Sequence, residues 1–272
     1  MNIVFWSLDH VHAGCSTNAL CMALWHALQI DDALDDRVSF IQTGFANYAT
    51  DYALLGSQVL TENYFGTGMD NLLSIARSRA LVYQDAYNSS FSLADKNLLY
   101  YIASRQTNRE SFHQTLTKLP DLIAGLNEHV EFNYIDLTGG EDALSDELLA
   151  LTDILVINVL QNDLVLNQSI EKAESLIASG LSTKKQLRFC IGNYEPASTQ
   201  SVKNLAKKYP LLRRRTFCIP RNIDLLDAMA TGRMNEFFAK NSGSMERYKG
   251  ITDQKEFFDT LQKNLDYFEK EE

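Results

Sequence analysis

Short apolar runs, most of them bulky on both alternating faces, recur along this chain: Ile3 to Ser7, Val38 to Gln42, Leu98 to Ala103, Phe132 to Leu137, Ile154 to Val159, Leu187 to Ile191 and Arg215 to Ile219. A strand apolar on both faces needs cover on both, which a parallel sheet between two layers of helices provides. Helical stripes lie between the runs. Leu20, Ala23, Leu24 and Ala27 share one side of residues 17–28, and residues 144–151 and 169–179 repeat the pattern. Strand and helix patterns in alternation are the mark of βαβ units. The expected class is therefore α/β, with a doubly wound, mainly parallel sheet flanked by helices.

At 272 residues the chain is longer than the commonest domain, but a sheet of this kind reaches that size in one piece. Only four prolines are present, and neither a Ser/Gly-rich linker nor an internal repeat divides the chain. We expect one domain over residues 1–240, followed by an amphipathic helix over 241–272. Phe257, Phe258, Leu261, Leu265 and Phe268 share one face of that helix. Acidic residues surround the stripe, so docking on the domain or on a partner is expected rather than insertion at a membrane surface. Residues 46–93 are polar and aromatic and match no clean strand.

With 45% hydrophobic and 22% charged residues, the composition is that of a globule with a buried core. A formal net charge of -10 repels a polyanion, so non-specific DNA binding is not expected. The local exception, Lys207, Lys208, Arg213, Arg214 and Arg215, reads as a solvated helix end and strand start. No apolar stretch reaches the ~20 residues of a membrane span, and no secretory leader precedes the first run, so a cytoplasmic protein is expected. Four cysteines without a CxxC pair suit a reducing compartment. Cys190 and Cys218 fall inside expected strands and read as core.

The segment Ser7-Leu8-Asp9-His10-Val11-His12-Ala13-Gly14-Cys15-Ser16-Thr17-Asn18 follows the first strand and opens a helix. This is where a phosphate-binding loop must sit, so that turn amides and a helix N-terminus converge on phosphate oxygens. Such a loop also needs a lysine beside the β/γ-phosphates. With Gly14 as the glycine before that lysine, Cys15 takes the lysine position, and Ser16-Thr17 the pair whose first hydroxyl holds Mg²⁺. A neutral thiol cannot neutralise phosphate, although the amides of roughly residues 13–17 still could hold an anion. The plainer reading is that Gly14 caps a strand-to-helix turn.

Further segments in order along the chain resemble the ParA/MinD-like P-loop (SIMIBI) family, and in particular its lysine-less TadZ/CpaE-like branch with a degenerate Walker A loop. Phe5-Trp6-Ser7 and Gly14-Cys15-Ser16-Thr17-Asn18 are similar to the first strand and turn of that branch. His10 falls where the family's signature lysine would be, and Val11 and His12 replace its paired glycines. Residues 132–140, Phe-Asn-Tyr-Ile-Asp-Leu-Thr-Gly-Gly, resemble the Walker B strand and the switch after it, with Asp136 at the magnesium position. Thr152-Asp153-Ile154-Leu155-Val156 resembles the next strand. Cys190-Ile191-Gly192-Asn193-Tyr194 resembles the strand whose asparagine faces adenine, here Asn193. Ile219-Pro220-Arg221-Asn222, then Asp227-Ala228 and Gly232, are similar to the base-pocket segment.

The resemblance implies a nucleotide site of Gly14, Cys15, Ser16, Thr17, Asn193 and Pro220. It also implies Mg²⁺ on Ser16 and Asp136 if nucleotide binds, ATP with Mg²⁺ as a weakly bound cofactor or none, and a homodimer. A second departure from the family lies at the end of the second strand, where Phe40-Ile41-Gln42-Thr43-Gly44 has no aspartate. Two charged groups that phosphoryl transfer relies on are then missing together. The expectation is a scaffold of a pilus, secretion or partition machine, with weak or no ATP hydrolysis.

The alternatives are a working partition-type ATPase, with His10 or Arg221 supplying the missing charge, and a metal site on Asp9, His10, His12 and Cys15. A nucleophilic Cys15 beside His12 is a further alternative, because a thiol at a helix N-terminus has a lowered pKa. His113 and His129 read as surface residues, and Trp6 and Trp25 as packing.

Overall fold

The computed structural model describes residues 1–8, 14–30, 37–45, 48–57, 59, 66–94, 97–138, 143–183, 186–242 and 252–269. The chain opens with β1 (Asn2–Trp6), α1 (Cys15–Gln29) and β2 (Val38–Gln42). Three helices follow, α2 (Ala49–Leu55), α3 (Gly68–Ser78) and α4 (Tyr83–Asn88), and then β3 (Phe91–Leu93) and β4 (Leu98–Tyr100). Next come α5 (Arg109–Leu116), α6 (Leu119–Leu126), β5 (Phe132–Leu137), α7 (Asp146–Ala150), β6 (Ile154–Val159) and α8 (Asp163–Ala178). The rest is β7 (Leu187–Tyr194), α9 (Val202–Lys208), a 3-10 turn (Pro210–Leu212), β8 (Thr216–Pro220), α10 (Ile223–Ala230), α11 (Met234–Ser242) and α12 (Thr252–Glu269).

The strands form one sheet in the order β3-β4-β2-β5-β1-β6-β7-β8, and every neighbouring pair is parallel except β3 with β4. Alternation along each strand sends residues to two separate cores. Ile3, Phe5, Phe40, Tyr134 and Val156 pack with α1, α11 and α12 on one face. Val4, Trp6, Ile41, Ile135 and Ile157 pack with α3, α6 and α8 on the other. The chain is thus an α/β, doubly wound, mainly parallel sheet flanked by helices, the architecture that its two-faced strands require.

Several boundaries move, each for a local reason. β4 ends at Tyr100 rather than Ala103 because the Ala103 N–H turns to the Asp51 carboxylate, 3.2 Å away. β7 runs on to Tyr194 through an irregularity after Ile191, where Asn193 takes a φ of 49°. The described part of residues 46–93 holds α2, α3, α4 and β3; α2, α4 and β3 are too short to leave a clear period, whereas the 11-residue α3 buries Met69, Leu72 and Leu73 on one face. Cys190 is fully buried, but Cys218, expected in the core, lies on edge strand β8 and is only half-buried. In the basic cluster, Lys208 Nζ lies 2.7 Å from Asp163, and Arg213 Nε donates to the Ala206 carbonyl at 3.0 Å.

The last helix packs on the first face. Phe257, Phe258, Leu261, Leu265 and Phe268 are all buried, each side chain worth about 1.5–3 kcal/mol. Trp25 Nε1 donates to Gln262 Oε1 at 3.0 Å, and Asn264 Nδ2 donates to the Cys218 carbonyl at 2.9 Å.

α2 is held against the turn between α10 and α11 by a close approach of two glycines, Gly56 at φ 67° and Gly232 at φ 68°. A Cβ on Gly232 would stand 2.4 Å from Gly56 Cα and 2.9 Å from the Tyr52 carbonyl oxygen. Backbone atoms cannot give way as a flexible side chain would. Gly232→Ala is expected to lose about 2–4 kcal/mol of stability in urea unfolding, strain and overpacking together.

Candidate functional site

Parallel pairing brings the strand exits to one rim. Phe5 of β1 and Gln42 of β2 both stand opposite Asp136 of β5, and α1 begins above them. The entry to α1 turns on Gly14, at φ 66° and ψ 26°, a left-handed conformation suited to glycine. Its carbonyl accepts the Asn18 N–H at 2.8 Å. α5, α7, α8, α9 and α10 each carry an Asn or Ser side-chain cap. Among the described residues α1 has neither a side-chain cap nor an acid in its first turn, so the positive end of this 15-residue helix faces whatever anion lies beneath it. Cys15, Ser16 and Thr17 are half-buried there.

Directly beneath is Asp136, only 1% exposed, with both carboxylate oxygens lacking a hydrogen-bond partner. Burial pushes its pKa up to about 6. The Ser16 hydroxyl and the Cys15 thiol stand beside it and pull the other way, without closing a full hydrogen bond. Cys15 responds in kind, its thiol raised well above the usual value by burial first and by the Asp136 charge second. The lowered pKa expected of a thiol at a helix N-terminus does not hold here, because desolvation outweighs the dipole. A nucleophilic Cys15 therefore loses its premise. Asn158 of β6 fixes the sulfur: its Nδ2 lies 3.3 Å from Cys15 Sγ and 3.2 Å from the Trp6 carbonyl, while its Oδ1 accepts from Asn18 Nδ2 at 2.9 Å.

A second carboxylate, which the sequence reading missed, lies next to this group. Asp51 of α2 is fully buried, and its Oδ1 accepts from Gln42 Nε2 at 2.7 Å and from the Tyr100 hydroxyl at 2.6 Å. Burial raises its pKa against these bonds, the Ala103 N–H and the charge of Arg105. Gln42, at the strand end without an aspartate, thus carries an aspartate on its amide. The donors around Asp51 make it a structural anchor between α2, β2 and β4. Asn158 had one visible signal, a polar residue inside an apolar run. Asp51 had none.

Of the residues singled out from sequence, Gly14, Cys15, Ser16 and Thr17 lie above Asp136. Asn193, one residue before the end of β7, and Pro220, the last residue of β8, lie farther along the rim, where Tyr194 pairs with Pro220 and the Arg221 N–H donates to the Tyr194 carbonyl at 3.1 Å. Asp9, His10 and His12 of the loop metal site, and Gly139-Gly140 of the switch, lie outside the described residues. Among the described residues, no three His, Cys, Asp or Glu side chains come together to hold a metal. An oxygen-liganded Mg²⁺ is nevertheless compatible with an unpartnered carboxylate beside a serine hydroxyl. On the other face, a concavity of about 600 Å³ is bordered by Thr43, His113, Lys118, Thr138 and Leu148.

Asp136 titrates against the fold. Its pKa of about 6 exceeds the ordinary carboxylate value, so the folded state holds the proton more tightly than the unfolded chain and stability falls as pH rises from about 4 to about 6. Asp136→Asn removes that loss. Urea unfolding should show a gain of roughly 3 kcal/mol at pH 7.5 and little change near pH 4. An equal gain at both would show that Asp136 does not titrate.

No family model and no curated protein matches the chain in sequence. Solved structures do match it over nearly its whole length. It is similar to a ParA family ATPase from Chlorobium tepidum, with a TM-score of 0.69 and 12% identity over 97% of this chain and 98% of the other. It is also similar to the septum site-determining protein MinD from Pyrococcus horikoshii, solved with Mg-ADP, with a TM-score of 0.61 and 15% identity over 99% and 98%. A plasmid partition protein from Borrelia burgdorferi, bound to AMPPNP, gives a TM-score of 0.61 and 16% identity over 100% and 99%. At these identities the likeness is one of architecture, and it places the chain in the ParA/MinD-like P-loop fold.

Proposed function

We propose that this chain is a ParA/MinD-like protein of the lysine-less TadZ/CpaE-like branch, acting as a localisation or assembly scaffold with weak or no ATP hydrolysis. The machine it serves would be of the pilus, secretion or partition type. One observation carries the reading: above the buried Asp136 carboxylate, where a phosphate-binding loop would have lysine, stands the uncharged thiol of Cys15. Phosphoryl transfer depends on positioning and on neutralising charge at the transferred group. Cys15 adds no positive charge, and the Gln42 amide is occupied by Asp51 and Tyr100.

Nucleotide binding is a separate matter. The amides of Gly14 to Thr17 would take phosphate oxygens, Ser16 and Asp136 would hold Mg²⁺, and Asn193 and Pro220 would border the base. The metal would neutralise charge on the β- and γ-phosphates. The family resemblance implies a homodimer that would meet across this rim, and one structure of the same fold was solved as a MinC:MinD complex from Aquifex aeolicus. A protein partner for this chain belongs to the same proposal. Among the described residues, no helix is long and apolar enough to cross a membrane.

The second reading, a working partition-type ATPase, draws on the same Asp136: a carboxylate with both oxygens free of partners is poised to accept a metal. Phosphate release separates the two. Wild-type protein with ATP and Mg²⁺ should release phosphate no faster than Asp136→Ala, and turnover that disappears in the variant would replace the scaffold with an enzyme. Calorimetric titration with Mg-ATP then distinguishes a nucleotide-switched dimer, which binds, from a constitutive scaffold, which does not.

A further inference from the structure

We propose that Cys15 and Asp136, completed by the Ser16 hydroxyl, form a binding site for a thiophilic divalent cation of the Zn²⁺ class, filled without nucleotide. The argument begins with charge. A carboxylate that is 1% exposed and has no hydrogen-bond partner on either oxygen is costly to bury, and a cation is the partner that removes the cost. The residue beside it is a sulfur ligand. A lysine there would supply a positive charge of its own, whereas a cysteine that binds metal becomes an anion. With cysteine in that place the pocket carries no fixed cation and can take one from solution.

The donor types then decide which cation. A thiolate is soft and selects Zn²⁺, Co²⁺ or Cd²⁺ over Mg²⁺, while a carboxylate and a hydroxyl are compatible with either. The sulfur is already oriented. Asn158 Nδ2 lies 3.3 Å from Sγ and is itself held by Asn18 and the Trp6 carbonyl, the kind of outer support that fixes a metal ligand and stabilises negative charge on it. Cys15, Asp136 and the Ser16 hydroxyl supply three of the ligands, and the proposal requires water to complete the coordination. On binding, the Cys15 S–H bond breaks, its proton passes to solvent, and the sulfur–metal bond takes its place. Neither metal nor protein changes oxidation state.

The site is the pocket discussed above, but the proposal holds whether or not ATP binds there, and its test contains no nucleotide. Full-length protein stripped with a chelator is titrated with Co²⁺ and followed by absorption. The expected result is a thiolate-to-cobalt charge-transfer band saturating at one equivalent per chain, bleached by Zn²⁺ and unaffected by millimolar Mg²⁺. Cys15→Ser, nearly isosteric, should keep the wild-type circular dichroism spectrum and lose the band. Asp136→Asn should keep the band and weaken Co²⁺ binding by at least about tenfold. Cys218→Ala, at the half-buried cysteine on the sheet edge, should leave both unchanged. A folded wild-type protein without the band, a band that survives Cys15→Ser, or undiminished affinity in Asp136→Asn would each overturn the proposal.

Discussion

Parallel pairing of β1 with β5 on one side and β6 on the other is the constraint from which the site follows. It aligns the exits of β1, β2, β5 and β6, so that Gln42, Asp136 and Asn158 end up on the same face beneath the first turn of α1. These side chains share a face by the two-residue period of a strand, and the helix start is brought over them by the short reach of the chain from Trp6 to Cys15. Asn158 makes the arrangement rigid, because one amide ties the Trp6 carbonyl, the Cys15 sulfur and Asn18 together.

The molecule treats its two buried carboxylates in opposite ways. Asp51 receives the Gln42 amide, the Tyr100 hydroxyl and the Ala103 N–H, and with them it locks α2 to the sheet. Asp136 receives none, although it is just as buried. A buried carboxylate without a partner costs the fold stability, which is the feature on which the proposed metal-binding role of Asp136 rests. Asp51 shows what a carboxylate looks like when its role is structural.

Much of this architecture could be read before any coordinates. Val38 to Gln42, Phe132 to Leu137 and Ile154 to Val159 were legible because a strand buried on both faces leaves a run too apolar to be anything exposed. Most of residues 46–93 was not, since helices of six or seven residues and a three-residue antiparallel strand carry too little periodicity. The 11-residue α3, with Met69, Leu72 and Leu73 on its buried face, did leave a helical stripe that the sequence reading missed. At the site, the absence of an aspartate from the end of β2 was plain, but its consequence was hidden. Gln42 meets Asp51 through a tertiary contact that no local pattern encodes. The neutral thiol of Cys15 was legible, but the strength of its desolvation was not, because the helix dipole is a property of the sequence position and desolvation is a property of the packed chain.

The way the last helix meets β8 limits how this protein can assemble. Asn264 takes the Cys218 carbonyl on the open side of the edge strand, and Tyr267 takes the Arg214 carbonyl just before it. The opposite edge is only the three residues of β3. Among the described residues, neither border offers a long free ladder on which another chain could add a strand. Self-association or capture of a partner is thereby directed away from sheet extension and toward loops and helix surfaces, so a complex of this protein should form by docking surfaces rather than by continuing the sheet.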